Sequence, residues 1–219
     1  MNIIYRATAK KQWNPAPVHA DDKWKLVKLC HESFLKAKDK EQVTYLLDQC
    51  PQEWVDYFSE YGAVVNNDGL VDYDVSGSIK RMFNYAKDLE GKILMLEDDY
   101  LWRPNTIKHL WRALDDYPLV SPYDHPSHYI EKKHYDFKFR LQITDGMVWR
   151  NSPGNTHTFG TTGDYIRGHW NLFKDGVYDT PFYESLPHQV WNPIPALATH
   201  MCVGWLSPSV DWKELYVGK

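Results

Sequence analysis

The chain has 219 residues, 25 Lys and Arg against 29 Asp and Glu, and a formal net charge of -4. That length suits one large α/β unit with a sizeable core better than two small domains, and the charge gives no broad basic field for gripping a nucleic-acid backbone. Cys30, Cys50 and Cys202 form an odd set without metal-ligand spacing, which reads as reduced, mostly buried thiols. The start MNIIYRATAKKQW lacks a signal-type apolar core and no stretch approaches a membrane span, so a soluble, cytoplasmic protein is expected. Ten Trp and 15 Tyr are more aromatic surface than such a core needs; aromatics stack on sugars and bases, although core packing remains their default use.

In chain order, residues 2–8 predict a first strand and residues 13–18, with two prolines, a loop. Asp21 or Asp22 caps a helix with Val27, Cys30, His31 and Phe34 on one face, which makes His31 a core or boundary residue rather than a ligand. Residues 43–47 form a second apolar run ending in Asp48 and stopped by Cys50-Pro51. Residues 52–61 look helical, and a short strand at 63–65 is closed by Asn66-Asn67-Asp68-Gly69. Ser76 or Ser78 starts a helix with Ile79, Met82, Phe83 and Ala86 facing inward, and Gly91 ends it.

The stretch that follows, KILMLEDDY at 92–100, drives four apolar residues into Glu97, Asp98 and Asp99. A continuous apolar run is the pattern of a strand covered on both faces, and open α/β sheets bind ligands outside the carboxyl ends of such strands. Three adjacent carboxylates repel one another unless a cation joins them, and oxygen ligands favour the hard ions Mg²⁺ or Mn²⁺. Strand and helix alternate up to this point, which predicts a parallel sheet. No GxGxxG or Walker-type loop is present, so a bound diphosphate would rely on the metal.

Beyond it, Pro104 is expected to open a helix with Ile107, Leu110, Trp111 and Leu114 as its buried stripe, followed by a strand at 119–121. Residues 123–135 read as a long loop, His125 and His128 being weak metal candidates there. Residues 137–149 look like strands, and a small, hydroxylic segment at 151–164 leads into a helical piece at 165–173.

The segment SGSIKRMFNYAKDLEGKILMLEDDYLWRPNTI resembles the middle of family-2-like GT-A glycosyltransferases, in which a helix leads into a strand ending in a DXD-type motif, then an aromatic residue, a proline and a helix. The resemblance covers roughly the first half of the chain, with Glu97 where the first Asp of the motif usually stands. It implies a single GT-A (Rossmann-like) α/β domain with a mostly parallel central sheet flanked by helices, residues 1–103 binding the nucleotide-sugar donor and 104–219 the acceptor. It also implies metal-dependent transfer, from a UDP-sugar and with inversion, to a saccharide or other hydroxyl acceptor. Thr8 and Asp48 match positions lining the nucleoside pocket, Asp48 near the base; Lys80 and Asn84 match helix positions close to the nucleotide. Asp99 matches the carboxylate that binds the metal between the phosphates, with Glu97 and Asp98 near the ribose and the ion. The general base falls to Glu184, in FYESLPHQVW, or to Asp164, in TTGDY. His200, in PALATHMCVGW, matches a late metal-ligating histidine, and Trp191, Trp205 and Trp212 frame the acceptor or pack the end of the chain.

Two other classes compete. A metal-dependent nucleotidyltransferase or nuclease also gathers carboxylates at a strand end, but calls for further acids and a positive groove. A non-catalytic sugar-binding module on the same fold is the third reading.

Overall fold

The computed structural model describes residues 1–10, 14–67 and 75–216. Four parallel strands carry the first half: β1 (Asn2–Thr8), β2 (Val43–Asp48), β3 (Ala63–Asn67) and β4 (Lys92–Glu97), with helices α1 (Lys23–Ala37), α2 (Gln52–Ser59) and α3 (Val75–Lys87) between them. Trp13 and the Asp68-Gly69 part of the expected turn lie outside the described residues. Asp22 is the N-cap of α1, its side chain accepting from the Lys25 N–H, as the capping chemistry of a short carboxylate predicts.

Alternation along each strand sends successive side chains to opposite faces, and here both faces are covered. Ile3, Tyr5, Tyr45, Leu47, Leu94 and Leu96 pack with Val27, Phe34, Trp54 and Phe58 from α1 and α2. Ile4, Leu46, Ile93 and Met95 pack on the other side with Ile79, Met82 and Phe83 from α3. That is why the strand sequences read as unbroken apolar runs, each buried Leu, Ile or Phe contributing about 1.5–3 kcal/mol.

The second half adds β5 (Tyr100–Trp102), α4 (Ile107–Ala113), α5 (Ser127–Ile130), β6 (Leu141–Thr144), β7 (Met147–Ser152), β8 (Phe159–Thr162), α6 (Gly163–Gly168), α7 (Trp170–Phe173), α8 (Asp179–Ser185), β9 (Val190–Ile194), β10 (Ala198–His200) and α9 (Lys213–Tyr216). The main sheet runs β3-β2-β1-β4-β8, with β8 antiparallel to β4. Residues 119–121, expected as a strand, form a connecting ribbon: Val120 bridges Gly160 of β8 on one side and Trp191 of β9 on the other. A Cβ on Gly160 would meet Leu94 Cδ2 at 2.5 Å and Val120 Cγ2 at 3.1 Å, so glycine leaves room here for the Leu94 and Val120 side chains to pack.

Two local expectations change. Pro104 does not open α4; Asn105 turns left-handed at φ 59° and donates its N–H to Lys36 O, which delays the helix to Ile107. The segment at 123–135 is not a plain loop, since α5 and a 3₁₀ turn at Lys132–His134 occupy it; elements of three or four residues leave no periodicity to read.

Candidate active site

Parallel pairing aligns the carboxyl ends of β1, β2 and β4, with Thr8 opposite Asp48 and Arg6 opposite Glu97. The acids that gather there have separate fates. Asp98, 4% exposed, accepts from Lys23 Nζ at 2.8 Å and from the Thr8 N–H at 2.9 Å. It ties the start of α1 and the end of β1 to β4, one protein donor on each carboxylate oxygen. Among the described residues the Thr8 backbone N–H, rather than its hydroxyl, meets the acids; the hydroxyl accepts from the Lys10 N–H.

Asp48 is equally enclosed. It is 2% exposed, its Oδ1 accepting from Arg81 Nη1 at 2.6 Å and its Oδ2 from Ser78 Oγ. Each oxygen of Asp48, expected near the base, thus accepts from a protein donor. Arg81 also donates to Leu47 O and Val65 O. Lys80 and Asn84, expected near the nucleotide, stand on the exposed side of α3, where the Asn84 amide donates to Lys80 O. A helix turns about 100° per residue, so Ser78 and Arg81 take the inward positions.

Glu97 accepts from Arg6 Nη2 at 2.6 Å, and Thr158 Oγ1 lies 3.4 Å from its other oxygen. Burial raises the Glu97 carboxyl above its usual range despite Arg6. Asp99 faces His200: Asp99 Oδ2 and His200 Nε2 are 3.1 Å apart. The antiparallel pairing of β10 with β5 sets Thr199 against Leu101 and His200 against Tyr100, and the His200 ring stacks on Tyr100 at 5.2 Å. Burial would raise Asp99, but His200, with Lys23 and Arg6 beyond it, holds the carboxyl well below the usual carboxylate range. Burial would lower His200, and Asp99 outweighs it to raise the imidazole.

A cleft of about 310 Å³ opens beside this cluster, lined among others by His125, Glu131, Thr156, Asp179, Thr180 and Glu184. The Tyr100 hydroxyl bonds Thr156, linking the cleft wall to the start of β5. Glu184 is exposed on α8 at the rim. Asp179, first residue of the same helix, is the carboxylate whose charge reaches Glu97 and His200. His157 Nδ1 lies 2.5 Å from Asp179 Oδ1, an ion-pair distance without hydrogen-bond alignment, while its Nε2–H donates to Gly176 O at 2.9 Å. Burial would lower His157, and Asp179 outweighs it to raise the ring.

No protein-family model matches this sequence, and no curated protein matches it. Solved structures do. Galactosyltransferase LgtC, in complex with donor and acceptor sugar analogues, superposes with a TM-score of 0.54 at 12% identity, covering 88% of this chain and 73% of LgtC. Its active-site mutant Q189E gives 0.52 at 14%, covering 88% and 72%. A protein from Desulfovibrio desulfuricans G20 assigned as a nucleotide-diphospho-sugar transferase gives 0.52 at 13%, covering 87% and 78%. The fold is GT-A-like. At these identities the likeness speaks for the fold alone, so the roles of residues in this GT-A-like chain rest on its own geometry.

That geometry places the second candidate base, Asp164, apart from the acids. Because β8 runs antiparallel to β4, with Thr162 opposite Lys92, α6 starts at the amino end of β4. At about 3.3 Å per residue, β4 separates Asp164 from the acids by roughly 20 Å. There Asp164 is largely exposed and pairs with Arg167 at 2.6 Å. Trp191 stacks on Tyr117 at 4.4 Å and Trp212 is 2% exposed, so both pack the interior, whereas Trp205 lies against His125 beside the cleft.

Among the described residues no three His, Cys, Asp or Glu side chains converge as a metal cage. Asp99 and His200 nevertheless fit two adjacent places on one ion: donors about 2.1 Å from a cation and at right angles lie about 3 Å apart, against the observed 3.1 Å. Mg²⁺ commonly takes one or two protein ligands and completes its shell with substrate phosphates and water. Glu97, bound to Arg6, is held back from that pair. Sequence reasoning missed Arg6, Lys23, Arg81, His157 and Asp179. The cations carry no local signature, but Asp179 stands at the start of a helical segment in GVYDTPF, a signal that was available.

Proposed function

We propose that this chain transfers a sugar from a nucleotide-sugar donor, a UDP-sugar by resemblance, to an acceptor hydroxyl with Mn²⁺ or Mg²⁺ as cofactor and with inversion. The observation that carries the reading is the Asp99–His200 pair at 3.1 Å, set at the carboxyl end of β4 beside an open cleft. When bound there, the divalent ion supplies charge to stabilise the leaving diphosphate. The residues do the rest. Arg6 fixes Glu97, and Lys23 with the Thr8 N–H fixes Asp98 at the carboxyl ends of β1 and β4. Glu131, Asp179 and Glu184 are the carboxylates lining the cleft, and Asp179, whose charge reaches Glu97 and His200 although His157 lies 2.5 Å from it, is our first choice for accepting the acceptor proton. A nuclease or nucleotidyltransferase reading calls for a cationic groove; the cleft carries Glu131, Asp179 and Glu184 instead.

The test is calorimetry of UDP binding with and without Mn²⁺, alongside free-nucleotide release from a panel of nucleotide sugars. Asp99→Asn and His200→Ala should each weaken Mn²⁺-dependent nucleotide binding by roughly one to two decades while the protein stays folded. Unchanged Mn²⁺-dependent affinity in both variants would remove the pair from the site.

A further inference from the structure

The large apolar side chains left exposed are not scattered over the molecule. Among the described residues eleven stand out to solvent, and six of them, Tyr129, Ile130, Tyr135, Phe139, Leu141 and Ile143, fall within the stretch 129–143. β6 is an edge of the sheet β6-β7-β9, and residues directly opposite one another share a face. Ile143, Val148 and Ile194 therefore form a row across all three strands, with Leu141 beside it. Leu141 is 64% and Ile143 77% exposed, and Val148 and Ile194 are half-buried. The opposite face holds Gln142, Trp149 and Pro193, and there Trp149 packs in the core. Arg150 stands opposite Leu141, buried and paired with Asp124, under the Tyr129 ring at 4.5 Å and the Phe139 ring at 4.8 Å. Those two rings carry the apolar surface from the sheet to α5.

Cations are threaded through the same stretch. Residues 129–143 contain four Lys and Arg against two acids, Glu131 and Asp136, in a chain whose acids outnumber its Lys and Arg by 29 to 25. Lys132 and Lys138 are exposed, and Lys138 lies between Phe137 and Phe139, whose rings are 4.9 Å apart. Arg140 meets an aromatic and an amide, Trp191 and Gln189, rather than an acid. Glu131 belongs to the cleft, with His134 4.0 Å away, and Asp145 at the β6–β7 turn is paired with Arg112 and His109. Asp136 is then the acid that stands exposed among these apolar side chains.

We propose that this face docks on a membrane surface bearing anionic lipid headgroups. An exposed apolar patch of this extent marks an interaction surface, and the local positive excess in an acidic chain names its partner by charge complementarity. Aromatic and branched side chains enter the boundary between headgroups and acyl chains, while Lys and Arg stems lie along it with their charges on the phosphates. The inference goes beyond the transfer reading and does not depend on it. α5 belongs to both regions, since Ser127 and His128 line the cleft and Tyr129 and Ile130 are exposed, so a docked chain carries its cleft close to the headgroups.

The full chain is sedimented with vesicles of equal parts phosphatidylcholine and phosphatidylserine, and with vesicles of phosphatidylcholine alone, at low and high salt. Each Lys or Arg near an anionic surface contributes about fivefold in affinity. Binding should therefore be at least about tenfold tighter to the anionic vesicles and weaken by about tenfold in high salt. Lys132→Gln with Lys138→Gln should weaken it by about tenfold or more through lost charge, and Leu141→Ser with Ile143→Ser by a similar factor through lost apolar area. All four residues are exposed, so circular dichroism should match the unaltered chain; the lipid and salt series on that chain decides if a variant does not fold. No vesicle binding, equal binding to both kinds of vesicle, or full binding by either folded double variant overturns the inference. So does a concentration-dependent dimer that Leu141→Ser with Ile143→Ser dissolves while vesicle binding is absent, for then a second copy covers the face.

Discussion

Asp98 and Asp99 are neighbours in sequence, yet the structure makes opposite predictions for them. Asp98→Asn removes the charge that faces Lys23 Nζ at 2.8 Å, in a pair whose side chains are 12% and 5% exposed. Breaking a buried ion pair by deleting one partner costs about 3–5 kcal/mol, because the remaining charge is left uncompensated. Asp99 also acts on Lys23 and recovers part of that loss, while the amide oxygen can still accept from the Thr8 N–H, so about 3 kcal/mol is expected. At about 2–4 °C per kcal/mol for a domain of this size, the melting temperature should fall by roughly 6–12 °C. Calorimetric melting of the wild type, Asp98→Asn, Lys23→Met and the double variant forms a mutant cycle, and the two single changes should be clearly less than additive. Residual folded Asp98→Asn should bind Mn²⁺ and UDP within a few-fold of wild type. A variant with unchanged melting and lost metal affinity would refute the assignment of Asp98 as a strut and make it a ligand.

Other expectations follow from the same contacts. Asp179→Asn should lower kcat by about two to four decades with little change in donor affinity, while Glu184→Gln should lower it far less; steady-state kinetics with the identified donor reads both, and the reverse order would exchange their roles. His31 is fully buried between the Tyr45 and Tyr57 hydroxyls, and burial holds its ring down to about 3 from the usual 6.5. The folded state thus binds fewer protons than the unfolded one below pH 6.5, so stability should be fully present above that value and fall as pH drops towards 3. The slope is bounded by about 1.4 kcal/mol per pH unit, and denaturant melts of His31→Gln should lose that contribution to the slope. Gly160→Ala should destabilise the protein by about 1–3 kcal/mol, read by the same melts, since its methyl would overlap Leu94 and Val120.

Strand and helix order in the first half was legible in the sequence because each element there writes its own period. The apolar runs at β2 and β4, the Asp22 cap and the inward face of α3 are local facts, and the end of β4 announced its acids without any tertiary information. Which acid is available was not legible. Lys23 and Asp98 meet across 75 residues, and Arg81 and Asp48 across 33, and these cations, unmarked by any local pattern, give Asp98 and Asp48 partners inside the protein. His200 reaches Asp99 across 101 residues only because β10 pairs with β5. Asp164 is carried to the wrong end of the sheet because β8 reverses direction beside β4. Composition and periodicity record what a residue is and which way its own element turns; strand direction and register decide which charges share a low-dielectric space, and with it which carboxylate is neutralised by a protein cation and which is left facing the cleft.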